Sequence, residues 1–178
     1  MKSDIVSIDS SGKGFQRALE QATKVAAFKG LSEMDTRQLQ VLTEEMLSLA
    51  RSITGLDKAS FWIDFETVQA DLHLNTQAVL DKDKRAELIA SSTSRKNEAS
   101  RGFLGWLRDQ FEEAMTADAE HFTPSNDILS DLPQGVYNEP EWDGYERSIL
   151  KCLADDVKIG IQGKTVDITV SKRFNVQE

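Results

Sequence analysis

The chain has one cysteine, three prolines and two histidines in 178 residues, and these shortages exclude several kinds of site. A lone thiol, Cys152, cannot form an internal disulfide or a multi-cysteine zinc site. Because Cys152 lies in an apolar run, we expect a buried and unreactive thiol. His73 and His121 have no partner at metal-ligand spacing, so the sequence predicts no metal site.

Positive charge is also scarce, because 21 Lys and Arg residues stand against 30 Asp and Glu residues and the formal net charge is −9. Such a surface disfavours binding to nucleic-acid phosphates. The apolar runs are far shorter than the roughly 18 residues that a membrane-spanning helix needs, and no signal peptide is evident. We therefore expect a cytoplasmic protein that binds neither nucleic acid nor membrane, in an oligomeric state that the sequence leaves open.

The first third of the chain has the periodicity of a strand followed by two helices, at 4–9, 15–29 and 36–54. We expect Asp35 to cap the second helix and Gly55 to end it. The loop Gly12-Lys13-Gly14 follows the strand, but it lacks the spacing and the Gly-Lys-Ser/Thr ending of a phosphate loop. It is therefore interpreted as a flexible turn.

Two pairs of alternating segments predict β-hairpins, at 59–66 with 70–76 and at 157–161 with 166–170. The residues between them are predicted to form a mostly exposed helix or mobile segment, an apolar helix, a proline-containing loop and a final helix, at 81–97, 100–118, 123–143 and 144–155. A chain of this length can bury roughly 70% of its unfolded surface as one domain. We expect one domain over 1–178 with a variable, lid-like insertion at about 81–143.

The two ends of the predicted order carry a resemblance to a known family. Residues 146–159 read ERSILKCLADDVKI and residues 166–174 read VDITVSKRF. They resemble the last helix, acidic turn and final strands of GHKL ATPases, the superfamily of anti-sigma regulatory kinases and histidine kinase catalytic domains. The helix at 36–54 is similar to the family's N-box helix, with Glu45 at the catalytic position. The resemblance implies an α/β two-layer sandwich whose mixed, mostly antiparallel sheet is covered on one face by helices.

The chain departs from the family at the residues that handle nucleotide. ATP chemistry in the family needs a glutamate that acts on water, an asparagine one turn later that holds Mg²⁺ and an aspartate that reads adenine. Leu49 stands where the asparagine is expected and Ala78 where the aspartate is expected. No Asp-x-Gly-x-Gly follows, and the lid glycines are missing. The resemblance thus implies a degenerate domain that uses no cofactor.

The function that we favour from the sequence is protein binding. The chain is similar to an anti-sigma factor kinase without nucleotide chemistry, and its partner would be a sigma factor or another regulator. The helix at 100–118 and the following loop would replace the ATP lid. The candidate partner-binding residues are Phe103, Trp106, Phe111 and Trp142, and packing in the core is the alternative for each.

Two other functions remain open. An active GHKL-type serine kinase or ATPase would bind Mg-ATP and would need a catalytic base, a magnesium contact and an adenine reader, for which the candidates are Glu45, Ser48 or Asn75, and Asp81. A small-ligand binder would use the former nucleotide cleft, which Leu49 and Ala78 make more apolar. The adjacent acids Glu44 and Glu45 could also be simply solvated.

Overall fold

The computed structural model, which describes residues 1–56, 58–99 and 149–174, shows a five-stranded antiparallel sheet with helices on one face. The strands are β1 (Val6–Ile8), β2 (Ala59–Glu66), β3 (Gln69–Gln77), β4 (Asp156–Gln162) and β5 (Thr165–Arg173), and the helices are α1 (Phe15–Phe28), α2 (Glu33–Thr54), α3 (Lys82–Ala90) and α4 (Ile149–Leu153). The order in the sheet is β1-β2-β3-β5-β4. The predicted α/β sandwich is confirmed.

Alternation along the strands decides which side chains enter the core. In β2, Phe61, Ile63 and Phe65 have no exposed surface, while Trp62 and Asp64 between them are half-buried. Successive side chains of a strand point to opposite faces, so each strand contributes one row to the core and one to the other face. The strands β3, β4 and β5 repeat this pattern, and both predicted hairpins are confirmed.

The helices α1 and α2 cover the core face with side chains that recur every three to four positions. The fully buried ones include Ala18, Ala22 and Ala26 of α1 and Leu39, Leu42, Met46 and Leu47 of α2. The alanines of α1 let its backbone approach the sheet closely, and the larger residues of α2 fill the remaining space. These residues join the buried strand residues in one core.

The start of α2 corrects the prediction that Asp35 is the N-cap. The helix begins at Glu33, and the Ser32 hydroxyl accepts the Asp35 N–H at 3.1 Å. The same hydroxyl donates to the Asp35 carboxylate at 2.8 Å. Serine is as good a cap as aspartate, and the earlier of the two residues takes the position. The predicted end at Gly55 is confirmed, with φ at 73°.

The sequence prediction for Cys152 is wrong, because its side chain is exposed. The short helix α4 buries Leu150 instead, and a residue two positions later lies about 200° round the helix. The predicted helix at 144–155 is described only from 149, and both the predicted helix at 100–118 and the predicted loop at 123–143 lie outside the described residues. None of the described helices is long and apolar enough to cross a membrane.

The outer edge of β4 is covered by the segment 93–98. The Thr93 N–H donates to the Val157 carbonyl at 2.9 Å, and the Glu98 N–H donates to the Ile159 carbonyl at 2.7 Å. The Asn97 side-chain amide donates to the Ile161 carbonyl at 2.9 Å and accepts the Ile161 N–H at 2.8 Å. The outward carbonyls of Val157, Ile159 and Ile161 thus have partners within the chain.

Candidate functional site

The helix α2 carries two of the residues predicted to serve nucleotide chemistry. Glu45 is half-buried beside the fully buried Met46, and Ser48 is exposed. Leu49 is partly buried and packs against the core. A hard cation such as Mg²⁺ takes oxygen ligands, and an aliphatic side chain one turn after Glu45 offers none.

Asn75, the other predicted magnesium contact, points to the opposite face of the sheet from α2. Its neighbours Leu74 and Thr76 enter the core and are each 1% exposed. The Asn75 amide donates to the Asp167 carboxylate at 2.6 Å, across the pair formed by β3 and β5. The sheet therefore separates Asn75 from Glu45 and Ser48, and the structure does not bring the predicted residues into one cluster.

Asp81, the predicted adenine reader, caps α3. Its carboxylate accepts the Lys84 N–H at 2.8 Å, and the side chain is exposed. Ala78, three residues earlier, packs against the edge of the core, and its N–H donates to the Lys164 carbonyl at 2.8 Å. Both residues therefore have structural roles that the sequence reading had not assigned.

The glycine loop between β1 and α1 is closed by its own carboxylate. Asp9 Oδ1 accepts the N–H groups of Ser11 at 3.0 Å and Lys13 at 3.2 Å, and also the Ser11 hydroxyl. The hydrogen bond from that hydroxyl, together with those from the two N–H groups and the charge of Lys13, lowers the pKa of Asp9. A bound phosphate would need free N–H groups in such a loop. The Asp9 carboxylate already accepts two of them, those of Ser11 and Lys13.

Gly14 ends this loop in a conformation that no other residue fits. Its φ is 99°, and a β-carbon there would lie 2.2 Å from the Ser7 carbonyl oxygen. The close approach of α1 to β1 therefore explains this glycine without a phosphate.

A cluster that the sequence reading missed lies on what we call the open face, the side chains of β2, β3 and β5 that, among the described residues, point away from α1 and α2. Trp62 and His73 are directly opposite in the β2–β3 register, and their rings stack at 5.0 Å with 13° between planes. The Trp62 indole N–H donates to Asp64 Oδ2 at 3.2 Å, and the same oxygen lies 3.5 Å from His73 Nε2. The alternation within the predicted hairpin, combined with its register, could have revealed this cluster.

The carboxylates of the open face surround His73. Asp71 lies directly opposite Asp64, and like charges in that arrangement are destabilising. Burial lowers the pKa of His73, opposed by the charges of Asp64 and Asp71 and supported by Lys2. The imidazole is thus mainly neutral at pH 7 and does not neutralise these carboxylates.

Phe103, Trp106, Phe111, Trp142 and His121 lie outside the described residues. Within the described part of the chain, no three His, Cys, Asp or Glu residues are grouped so that they could hold a metal ion. No protein-family model matches the chain, and no curated protein matches it. The resemblance to GHKL ATPases stays a prediction.

Proposed function

We propose that the chain is a regulatory domain that binds another protein and that resembles a GHKL ATPase without its nucleotide chemistry. The observation that carries this proposal is the separation of the predicted nucleotide residues. Glu45 and Ser48 lie on α2, whereas Asn75 lies on the open face and Asp81 caps α3. Residues that act on one Mg-ATP must converge within hydrogen-bonding reach of it.

The packing around α2 supports the loss of ATP chemistry. Leu49 and Ala78 both contribute apolar surface to the margin of the core. In the loop before α1, Asp9 takes two of the N–H groups that could hold a phosphate, those of Ser11 and Lys13. The described residues therefore offer a scaffold with one catalytic-type acid, Glu45.

The partner in this proposal is a sigma factor or another regulator of the bacterial cytoplasm, an assignment that rests on the resemblance in sequence. Its contact surface would include the aromatic residues predicted at 100–118, with Trp142 beyond them. Large aromatic side chains are frequent anchors of protein interfaces. Fold alone does not define a partner, so both the absence of nucleotide chemistry and the presence of the interface require tests.

A thermal-shift titration with Mg-ATP and Mg-ADP tests the first part. A ligand present at 100 times its dissociation constant adds about 2.7 kcal/mol to the free energy of unfolding. We expect no change in melting temperature at millimolar nucleotide. A clear rise in melting temperature would contradict the proposal. In that case, the rate of phosphate release by Glu45→Ala would separate nucleotide binding from catalysis. The control is Glu44→Ala, at the exposed neighbouring position.

Binding to a purified regulator encoded beside this gene tests the second part. Trp106→Ala should weaken the complex about tenfold, which corresponds to about 1.4 kcal/mol, and leave the melting temperature unchanged. The matched control is Phe28→Ala, since Phe28 is an aromatic residue of α1 that is 73% exposed. A large fall in melting temperature with Trp106→Ala would instead identify Trp106 as a core residue.

A further inference from the structure

The open face of the sheet combines aromatic rings with carboxylates, and the proposed function does not use these side chains. We propose that it binds a lysine- or arginine-bearing segment of a partner protein, and that Lys2 occupies the cation position when no partner is bound. The residues that carry this inference are Trp62, Asp64, Asp71, His73 and Asp167. None of them is among the aromatic residues predicted to bind a regulator, so either proposal can fail without the other.

Trp62 provides the aromatic part of the surface. The Lys2 ammonium lies 5.0 Å from the centroid of the Trp62 ring, within the roughly 6 Å over which a cation is attracted to an aromatic face. The hydrogen bond to Asp64 and the stacked ring of His73 hold the indole in a defined orientation. The structure thus already contains one lysine ammonium at this ring, supplied by the chain itself.

The carboxylates provide the charge. Asp64 and Asp71 are directly opposite on β2 and β3, and the exposed Asp167 pairs with Asn75 on the adjacent row. Within the described residues, the lysines of this sheet form ion pairs with carboxylates other than Asp64 and Asp71. Lys158 lies 3.4 Å from Asp156, and Lys172 lies 3.3 Å from Asp155. An added cation would therefore relieve the repulsion between Asp64 and Asp71.

The same charges decide the class of partner. The open face carries four carboxylates, those of Asp64, Glu66, Asp71 and Asp167, against the cations Lys2 and Arg173, and His73 is mainly neutral. On a chain of net charge −9, this excess of negative charge disfavours nucleic-acid phosphates and anionic lipids. Small-molecule sites are usually concave, whereas this surface consists of paired side chains along a sheet. A basic segment of a protein matches the charge, and an extended segment can lie along the paired strands.

Titration calorimetry at low salt tests the inference with hexa-arginine and hexa-lysine peptides as probes, on the full chain. Trp62→Leu and Asp71→Asn should each weaken binding about fivefold or more, because each removes one part of the cation site. The matched control is Asp83→Asn, which removes one exposed charge from the first turn of α3. The control should change the dissociation constant less than about twofold.

Substitution of Lys2 tests the proposal in the opposite direction, because it should strengthen peptide binding. If its ammonium competes with the partner, Lys2→Met should tighten peptide binding about threefold, while Lys2→Arg should bind as the natural chain does. Asp71→Asn removes one of two opposed like charges, so its melting temperature should not fall and its binding result stays informative even if Trp62→Leu does not fold.

Three outcomes would overturn the proposal. The first is no binding of either basic peptide, and the second is equal weakening by Asp83→Asn, which would indicate attraction to the net charge of the whole chain. The third is spermine binding as tightly as the peptides with the same dependence on Trp62 and Asp71, which would assign the face to small polycations. The nucleotide titration and the Trp106→Ala experiment are unaffected by each of these results.

Discussion

The two faces of the β2–β3 hairpin share one backbone register but differ in burial and in polarity. One face carries Phe61, Ile63 and Leu72, which have no exposed surface, and the other carries Trp62 and His73, which stay half-buried and polar. Burial of apolar area stabilises the fold, so stability depends mainly on the first face. The second face buries less apolar surface and places Asp64 opposite Asp71, and the proposed binding of a basic segment rests on this arrangement.

The largest expected effect tests this comparison at two adjacent residues. Phe61→Ala should lower the free energy of unfolding by about 3–5 kcal/mol, because it opens a cavity in the core. Trp62→Leu should lower it by about 1 kcal/mol or less, because the ring lies on the open face. Urea denaturation measures both variants. Equal losses would show that the open face is as important for stability as the core.

The second variant changes Gly14, the residue at which α1 comes close to the backbone of β1. Gly14→Ala should destabilise the protein by about 3 kcal/mol, because the added methyl would lie 2.2 Å from the Ser7 carbonyl oxygen and φ is 99°. Gly30→Ala is the matched control, with φ at 65° and no atom within 4 Å of the added methyl. It should lose only about 1 kcal/mol. Thermal unfolding followed by circular dichroism distinguishes them, and similar losses would mean that φ alone matters at Gly14.

The third variant tests whether a residue at the sheet edge contributes as much to stability as the core face does, or as little as the open face. Asn97→Ala should lower the free energy of unfolding by about 2 kcal/mol, because it leaves the N–H and carbonyl of Ile161 without this amide. Hydrogen exchange at the Ile161 N–H should accelerate. Lys96→Ala, at an exposed neighbouring position, should leave that exchange unchanged. Unaltered exchange in Asn97→Ala would show that this edge is protected by other contacts.

The smallest expected effect is the pH dependence that His73 gives to the open face. Its pKa is lowered in the folded state, chiefly by burial, so the unfolded chain binds more protons between the folded and unfolded pKa values. The stabilisation is complete above about pH 6.5 and is lost as pH falls through the folded pKa. His73→Gln should flatten this part of the stability curve, measured by urea denaturation from pH 7.5 to 5. An unchanged slope would assign the effect to other groups.

The sequence predicted those parts of the fold that depend on local periodicity. Alternation in β2 and β3 and the glycine at 55 were sufficient for the first hairpin and for the end of α2. The start of α2 could not be decided in this way, because Ser32 and Asp35 are both good caps and their choice depends on local geometry. Cys152 was misassigned because an apolar neighbourhood in sequence does not define which side of a short helix faces the core.

The candidate sites were less accessible to sequence reasoning than the fold. The separation of Asn75 from Glu45 depends on which face each side chain takes after the sheet and α2 have packed together. The pairing of Trp62 with His73 depends on a register that the turn between β2 and β3 determines. Both are properties of the assembled sheet, and a list of candidate residues does not contain them.

The side-chain amide of Asn97 also has a consequence for how copies of this chain meet. A β-strand at the edge of a sheet is a template for strands of other molecules, and such contacts lead to aggregation. At β4 the amide of Asn97 imitates a peptide group and takes both hydrogen-bonding positions of Ile161. A foreign strand would have to displace the segment 93–98 before it could attach there. The Asn97 amide thus takes from this edge the two hydrogen-bonding groups of Ile161 that a strand of another molecule would need.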